Sequence, residues 1–315
     1  MSEAGRGSVT EGGPSAWSDE VARYYDRNTG RFLLVGSGRG VYAMHRELWG
    51  PGVTTARDAS DYVHRLLADE IADRLAMRTG ADAETAPTVL DFGCGVGGTL
   101  FHLADRFPRA RLAGVTVSAR QVDIARGLAE RRGVAERCSF LHGDFQTADL
   151  GLIADAVVAV ESFAHSESAS AFAENAARHL RPGGTLLLVD DFVAFEADAL
   201  DERRRAWLER FRRGWLVPAI CTVERFVREA GTHGLVLERR FDLTPLVRPG
   251  SRARDRLSAA VSPLLERLGL ARFPFCGNMI GGNALQVGLR EGFLRHELLI
   301  LRQDAPGVSP GAPVA

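Results

Sequence analysis

The sequence predicts an α/β fold built on a doubly wound, mostly parallel β-sheet. Short apolar strands and amphipathic helices alternate five times between residues 88 and 191, which is typical of such sheets. The segment 155–160 is apolar without alternation, as a strand covered by helices on both faces requires. A glycine-rich turn at 93–98 follows the first strand and precedes a helix, which is the usual place for a ligand-binding loop.

Each element of this core has a recognisable pattern. Strands are predicted where short apolar runs occur, over 88–92, 111–117, 139–142, 155–160 and 185–189. Helices are predicted where apolar residues recur every three or four positions, over 58–78, 99–106, 118–132 and 172–180. We expect Asp58 or Ser60 to cap the first of these helices, Ser118 to cap the third, and Gly133 to end the third.

Beyond residue 191 the alternation changes. The patterns predict an arginine-rich helix, a second helix, a strand, a helical insert, a last helix and a last strand, over 198–215, 222–231, 235–241, 251–268, 282–290 and 296–301. The chain is thus divided into a disordered N-terminus at 1–18, an N-terminal segment at 19–57, a core at 58–302 with helical inserts at about 198–215 and 251–268, and a disordered tail at 303–315.

Composition excludes several classes of function. The chain has 39 basic and 40 acidic residues, so it lacks the basic excess by which nucleic-acid binders attract their ligand. All of the basic residues are arginines, and the absence of lysine excludes Schiff-base chemistry, pyridoxal phosphate enzymes and the phosphate-binding P-loop. Arginines can still bind a phosphate or a carboxylate through two hydrogen bonds.

The sequence also bears on location and partners. No apolar run approaches the roughly 20 residues of a membrane span, and residues 1–18 do not resemble a signal peptide. The four cysteines have no paired spacing, which suits a reducing cytoplasm. We therefore expect a cytoplasmic protein that binds a small-molecule substrate, with no nucleic-acid or membrane partner. The oligomeric state is left open, a homo-oligomer included.

The glycine-rich turn spells G-x-G-x-x-G with Gly93, Gly95 and Gly98. On its own this pattern also fits NAD enzymes. Two details argue against them. Asp91 stands two residues before the first glycine, where dinucleotide-binding folds usually have an apolar side chain, and the acidic residue expected about 20 residues further on is absent at 114–118.

Three segments resemble the class I S-adenosylmethionine-dependent methyltransferases. Residues 89–97 look like motif I of that family, 141–145 like its adenine-binding motif, and 180–186 like the signature before its fifth strand. The resemblance implies a Rossmann-like fold with a mostly parallel seven-stranded sheet and helical lid insertions. Residues 114–118 with Gln121 lack the family's usual ribose-binding acid. They are instead similar to the branch of cyclopropane synthases and of tocopherol, sterol and isoprenoid C-methyltransferases.

The resemblance implies that S-adenosylmethionine is the cofactor. Asp91 and the bare glycine backbone would hold its methionyl end, Thr116 and Gln121 its ribose, and Asp144 its adenine amine, with Phe145 over the ring. The expected cofactor-binding residues are therefore Asp91, Gly93, Gly95, Thr116, Gln121, Asp144, Phe145 and Val160.

Two residues after the fourth strand of the chain are candidates for catalysis. Glu161 follows an apolar run, and the carboxyl ends of parallel strands line the ligand crevice, so its carboxylate suits a general base. His165 could serve as a base or as a donor to a diphosphate. The alternative for Glu161 is a structural acid that bonds to the neighbouring loop, and the alternative for His165 is a histidine in a surface turn.

The N-terminal segment narrows the resemblance. Residues 24–26 and 40–49 look like the lid of geranyl diphosphate C-methyltransferases, and 160–162 like their fourth-strand motif. In that family the glutamate is thought to remove a proton after methylation, and Mg²⁺ accompanies the diphosphate. Aromatic faces would stabilise the intermediate carbocation, and arginines would anchor the diphosphate. The expected substrate-binding residues are Tyr25, Arg39, Tyr42, His45, Arg46, Trp49, Phe192 and Trp207.

The sequence is also compatible with three other functions. The runner-up is an O- or N-methyltransferase of a specialised metabolite, in which Glu161 or His165 would deprotonate the acceptor. An NAD-dependent oxidoreductase and a cyclase that keeps the fold without methylating are further alternatives.

Overall fold

The computed structural model describes residues 15–35, 42–78, 84–248, 261–262, 264–269 and 274–304, and at 31–35, 197, 274 and 275 it describes the backbone. Arg39, most of the predicted insert at 251–268 and most of the two predicted disordered ends lie outside these residues. Within the described part of the chain, no helix is both long and apolar enough to cross a membrane.

The sheet has seven strands in the order β3-β2-β1-β4-β5-β7-β6. Strands β1 to β5 run parallel to one another, whereas β7 runs antiparallel to β5 and β6. The predicted mostly parallel, seven-stranded sheet is confirmed. The strands are β1 (Thr88–Phe92), β2 (Arg111–Thr116), β3 (Cys138–His142), β4 (Ala154–Val160), β5 (Leu180–Val193), β6 (Leu235–Asp242) and β7 (Leu294–Gln303).

Helices cover both faces of the sheet, as its doubly apolar strands require. They are α1 (Ala16–Val35), α2 (Ala56–Ala76), α3 (Gly98–Arg106), α4 (Ala119–Arg132), α5 (Ala169–His179), α6 (Glu202–Trp215), α7 (Val223–Gly231) and α8 (Pro274–Glu291). One apolar cluster joins α2, α3 and α4 to the sheet, and a second joins α5 and α7 to its other face. A third cluster lies between α6 and α8.

Several helix ends differ from the predictions. Helix α2 begins at Ala56 because the hydroxyl of Thr55 accepts a hydrogen bond from the amide of Asp58, so Thr55 is the cap and not Asp58 or Ser60. Helix α6 begins at Glu202, after the Asp201 cap. Helix α1 was not predicted, and it includes residues 16–18, which were expected to be disordered.

The largest boundary error concerns α8, which begins eight residues before the predicted start at Gly282. Its glycines stand inside the helix because α6 approaches closely at that level. A Cβ atom on Gly281 would lie 2.4 Å from Cδ1 of Trp215, and one on Gly214 would lie 2.6 Å from the carbonyl oxygen of Gly277. The glycines therefore permit helix packing and do not mark a helix end.

Candidate functional site

A cavity opens at the carboxyl ends of β1 and β4. Strands β2 and β3 lie on one side of β1 and strand β4 lies on the other, so the direction in which strands are added to the sheet changes between β1 and β4. This is the position at which open α/β sheets bind their ligands. The β4–β5 ladder ends with Val160 opposite Val189, so the residues that follow each of them face the cavity. Helices α1, α6 and α8 and the segment 42–46 supply much of the remaining wall.

The glycine-rich turn forms one side of the cavity. Gly93 and Gly95 have φ angles of 81° and 55°, which glycine adopts without strain. A Cβ atom on Gly93 would lie 2.4 Å from Cβ of Ser162, so no larger residue fits there. The turn leads into α3 at Gly98, and the helix N-terminus with its free amides points toward the same side.

Asp91 is buried at the base of this turn. Its side chain is 2% exposed, and its Oδ2 atom has no hydrogen-bond partner in the described part of the chain. Burial raises the pKa of Asp91 to about 7. A buried carboxylate without a counter-charge is costly, and the ammonium group of a bound amino acid would supply that charge. The observed residues thus fit the methionyl end of S-adenosylmethionine.

Thr116 and Gln121, the ribose candidates, both line the cavity. The Thr116 hydroxyl donates to Oε1 of Gln121 at 2.6 Å, and Nε2 of Gln121 donates to the Thr29 hydroxyl on α1 at 3.2 Å. Thr116 and Gln121 are therefore hydrogen-bonded to each other, and Gln121 is also hydrogen-bonded to α1.

The two adenine candidates are placed differently. Phe145 lines the cavity and stacks on Phe92, with ring centroids 5.8 Å apart. Asp144 lies next to the lining, and its Oδ2 atom accepts a hydrogen bond from the Ser18 hydroxyl of α1 at 2.5 Å. A ligand amine that approached Asp144 would therefore have to exchange with Ser18.

Glu161 is held in an unusual conformation. Its φ angle of 50° lies in the left-handed region, which costs a non-glycine residue about 1–2 kcal/mol. The carboxylate accepts hydrogen bonds from the backbone amide of Arg46 at 3.0 Å and from its Nε atom at 2.9 Å. Tyr42, with a φ angle of 57°, lines the same cavity. Backbone strain of this kind accumulates at functional sites.

Arg46 connects two carboxylates across the cavity. Its Nη1 and Nη2 atoms bind both oxygens of Asp191, at 2.8 and 2.6 Å, while its Nε atom binds Glu161. His296 lies 3.1 Å from Asp191 through Nδ1. Burial opposes ionisation of Asp191, but Arg46 and His296 outweigh it and lower its pKa. Burial likewise opposes the charge of Arg46, and the two carboxylates raise its pKa.

His165 is tied to α1 through a tyrosine. Its Nδ1 atom donates to the carbonyl oxygen of Leu216 at 2.9 Å, and its Nε2 atom therefore accepts from the Tyr25 hydroxyl at 2.8 Å. Burial lowers the pKa of His165 and raises that of Tyr25 well above its usual value. His165 is thus a neutral imidazole whose acceptor nitrogen is occupied.

The predicted substrate-binding residues divide into three groups. Tyr25, Tyr42, His45 and Arg46 line the cavity. Phe192 stacks on Phe163 in the core, Trp207 lies under the Arg210 guanidinium, and Trp49 lies under that of Arg248, so these three aromatic residues do not reach the cavity. Arg39 is outside the described residues.

The residues of this site that sequence reasoning missed include Met44, Asp190, Asp191 and His296. Two acids directly after the predicted strand 185–189 were a usable signal for Asp190 and Asp191, since the carboxyl ends of parallel strands share one edge. Burial, and then the charge of Asp191, raises the pKa of Asp190 to about 8. His296 had no local signal, because it reaches the site from antiparallel β7.

Comparison with known proteins agrees with this geometry. Residues 89–184 match the model of the family described as "Methyltransferase domain". The chain is 29% identical over 164 residues to the polyketide synthase ThaQ of Burkholderia thailandensis, covering 52% of this chain and spanning 7% of ThaQ. It is 24% identical to ajmaline N-methyltransferase of Rauvolfia serpentina, over 91% of this chain and 98% of that protein. It is 28% identical to 27-O-demethylrifamycin SV methyltransferase of Amycolatopsis mediterranei, over 73% of this chain and 80% of that protein.

Solved structures share the fold over most of the chain. A geranyl diphosphate methyltransferase in complex with GPP and sinefungin superposes with a TM-score of 0.68 and 18% identity, over 92% of this chain and 100% of that one. The [4+2]-cyclase SpnF superposes with a TM-score of 0.65 and 21% identity, over 91% and 96%. The matched domain, the strand order and the motifs around the glycine-rich turn agree, and residues 89–184 are a methyltransferase domain of the class I, S-adenosylmethionine-dependent type.

Proposed function

We propose that the chain transfers the methyl group of S-adenosylmethionine to an alkene carbon of a small isoprenoid, a prenyl diphosphate such as geranyl diphosphate, and that Glu161 removes a proton from the resulting carbocation. The observation that carries this proposal is the position and hydrogen bonding of the Glu161 side chain. It is a cavity-lining carboxylate whose orientation is fixed by two hydrogen bonds from Arg46.

A carboxylate that is held in an ion pair is better suited to removing a proton from a carbocation than from a phenol or an ammonium group. A phenol or an ammonium group has a pKa about six units above that of a glutamate, so an ion-paired carboxylate is a poor base for either. A carbocation loses a proton far more readily, and an ionised carboxylate in the right place is sufficient. The fixed position of Glu161 therefore favours proton removal after methyl transfer over deprotonation before it.

The walls of the cavity also suit a cationic intermediate. Tyr24, Tyr25, Tyr42, Phe211 and Trp215 line it, and aromatic faces attract a positive charge without reacting with it. Asp190, Asp191 and Glu161 add acidic groups to the same lining. The protein would thus stabilise positive charge that develops on the acceptor during transfer.

The cofactor residues follow from the same geometry. When bound, S-adenosylmethionine supplies an electrophilic methyl group. Asp91 would bind its amino group, the backbone of Gly93 and Gly95 would pass close to the methionyl part, and Thr116 with Gln121 would bind the ribose. Holding acceptor and methyl donor in line would supply much of the rate enhancement.

A diphosphate needs a further anchor. Among the described cavity residues, Arg46 is the one arginine, and its side chain is engaged by Glu161 and Asp191. A diphosphate here would meet several carboxylates, so we propose that Mg²⁺ accompanies it and that Arg39 contributes to its binding. Methylation of prenyl diphosphates is then expected to require the metal.

O- or N-methylation of a specialised metabolite is the second candidate. It is favoured by the curated relatives, which include an N-methyltransferase covered over 98% of its length. In that case His165 would be the base once Tyr25 no longer donates to it.

The acceptor can be identified with radiolabelled S-adenosylmethionine. Tag-free protein is incubated with prenyl diphosphates, with and without Mg²⁺, and in parallel with phenols and amines of similar size. We expect Mg²⁺-dependent label in the prenyl products. Label in phenols or amines alone would overturn the alkene proposal and leave methyltransferase activity intact. Cofactor binding without transfer to any acceptor would instead favour the use of the pocket as a template for cyclisation.

Cofactor affinity should depend on pH through Asp91. Because burial raises the pKa of this carboxyl to about 7, it is protonated and neutral below that pH and cannot pair with the ammonium group of the ligand. The dissociation constant of S-adenosylmethionine, measured by calorimetry between pH 5.5 and 8, should rise by about tenfold per pH unit below 7 and level off above it.

Two variants separate this effect from a general loss of structure at low pH. Asp91→Asn should bind weakly at every pH. Asp149→Asn, which changes an exposed acid in a loop, should keep the wild-type profile. A flat wild-type profile would remove Asp91 from the ammonium contact.

A further inference from the structure

A cluster of two histidines and one carboxylate lies at the edge of the cavity, and one of its members, His64, lines the cavity. Asp61 and His64 are one turn apart on α2, and His102 is on the adjacent α3. Oδ1 of Asp61 lies 3.2 Å from Nδ1 of His64 and 3.1 Å from Nδ1 of His102. The three side chains offer ligand atoms that all lie within 4.8 Å of one another. The mechanism proposed above uses none of the three.

Hydrogen bonding fixes the tautomer of His64. Nδ1 of His45 lies 3.0 Å from the carbonyl oxygen of Arg46, which can only accept, so this nitrogen carries the proton of a neutral His45. Nε2 of His45 is then an acceptor, and Nε2 of His64, 3.0 Å away, must be the donor. The proton of a neutral His64 is thereby placed on Nε2.

This assignment leaves Nδ1 of His64 as a bare lone pair that faces a carboxylate oxygen. Two acceptors 3.2 Å apart repel each other unless a cation lies between them. The guanidinium of Arg65 does not supply it, since its Nη1 atom contacts the other oxygen of Asp61. A proton on His64 would satisfy that pair, but it would charge a side chain that is 1% exposed.

A metal ion satisfies all three side chains at once. Bonds of 2.0–2.1 Å to a tetrahedral ion place neighbouring ligand atoms about 3.3 Å apart. The two distances from Asp61 Oδ1, 3.1 and 3.2 Å, are close to that separation. Two imidazole nitrogens and one carboxylate oxygen are the donors preferred by divalent transition metals such as Zn²⁺, whereas Mg²⁺ prefers oxygen alone.

We propose that Asp61, His64 and His102 bind a divalent transition metal ion of the Zn²⁺ class, with solvent completing the coordination. The ion would join α2 to α3. It would also fix the His64 proton on Nε2, toward His45, and so hold the carbonyl of Arg46 at the cavity wall. This site is separate from the Mg²⁺ proposed to accompany a diphosphate.

The test uses the full chain without an affinity tag, freed of metal by a chelator and then titrated with Zn²⁺ alone against a chromophoric chelator. We expect one equivalent to bind, and we expect bound Zn²⁺ to raise the melting temperature. Co²⁺ in the same site should give the visible absorption of a low-coordinate ion. An excess of Mg²⁺ should not displace either ion.

Variants decide whether the binding belongs to this cluster. His102→Ala and Asp61→Asn should weaken Zn²⁺ binding by roughly 100-fold or more and abolish the melting-temperature shift. His233→Ala removes a histidine that is hydrogen-bonded to Ser170, away from the cluster, and this variant should bind Zn²⁺ as tightly as the wild type does. Far-UV circular dichroism checks that each variant is folded. Absence of stoichiometric binding, or equal affinity in His102→Ala and His233→Ala, would overturn the proposal and leave a proton-bridged Asp61–His64 pair.

Discussion

Arg46→Met should lower the free energy of unfolding by about 3–5 kcal/mol, because it removes the guanidinium that pairs with the buried Asp191 and the largely buried Glu161. The Asp191 side chain is 4% exposed, and that of Glu161 is 15% exposed. Methionine keeps the unbranched apolar part of the arginine side chain and lacks the guanidinium, so the loss mainly reflects the missing charge and hydrogen bonds. Urea unfolding followed by tryptophan fluorescence and by circular dichroism measures it, provided that the two transitions coincide.

Two comparisons test the cause of this loss. Arg178→Met removes an ion pair with Glu174 whose side chains are both more than half exposed, and it should cost less than about 1 kcal/mol. Adding Asp191→Asn to Arg46→Met removes one of the uncompensated charges and should recover part of the lost stability. An effect of Arg46→Met as small as that of Arg178→Met would show that the two carboxylates remain solvated.

Glu161→Gln should lower the turnover number by about 100-fold or more while leaving the affinity for S-adenosylmethionine within a few-fold of the wild type. Glutamine keeps an oxygen that can accept from the amide and Nε of Arg46, so the left-handed backbone and the neighbouring Asp191 pair have no reason to move. The amide cannot take up a proton. Single-turnover kinetics with the best acceptor and calorimetry with the cofactor measure the two quantities separately.

The matched control is Glu174→Gln on the exposed face of α5, which should leave both quantities unchanged. A near-normal turnover number for Glu161→Gln would remove this residue from proton transfer. His165→Gln, which keeps an acceptor near Tyr25, would then become the variant of interest. Loss of cofactor binding in Glu161→Gln would point to a structural role through Arg46.

Much of the fold followed from local patterns. The five alternations between 88 and 191 appear as β1 to β5 with their helices, and Gly133 ends α4 in the left-handed conformation expected of a C-terminal glycine. The positions of Asp91 and Glu161 at the cavity were also predictable. Each stands at or just after the end of a buried strand, and parallel strands bring such ends to one edge.

Contacts between distant parts of the chain were not predictable in this way. Arg46 and Asp191 are 145 positions apart, and no local pattern indicates that the arginine pairs with two carboxylates instead of remaining free for a diphosphate. The same holds for Ser18 on Asp144, and for the aromatic residues of α6. There Phe211 and Trp215 reach the cavity, while Trp207 packs elsewhere on the same helix.

The sequence by itself therefore determined the order of strands and helices from α2 through β5, the glycine-rich turn and the methyltransferase motifs. These depend on periodicity and on backbone preferences within a few residues. The tertiary structure alone decided the partners of each charged group, the side chains that line the cavity, and the convergence of Asp61, His64 and His102. The physical reason is that burial and pairing depend on how helices pack across the sheet, and spacing along the chain does not specify that packing.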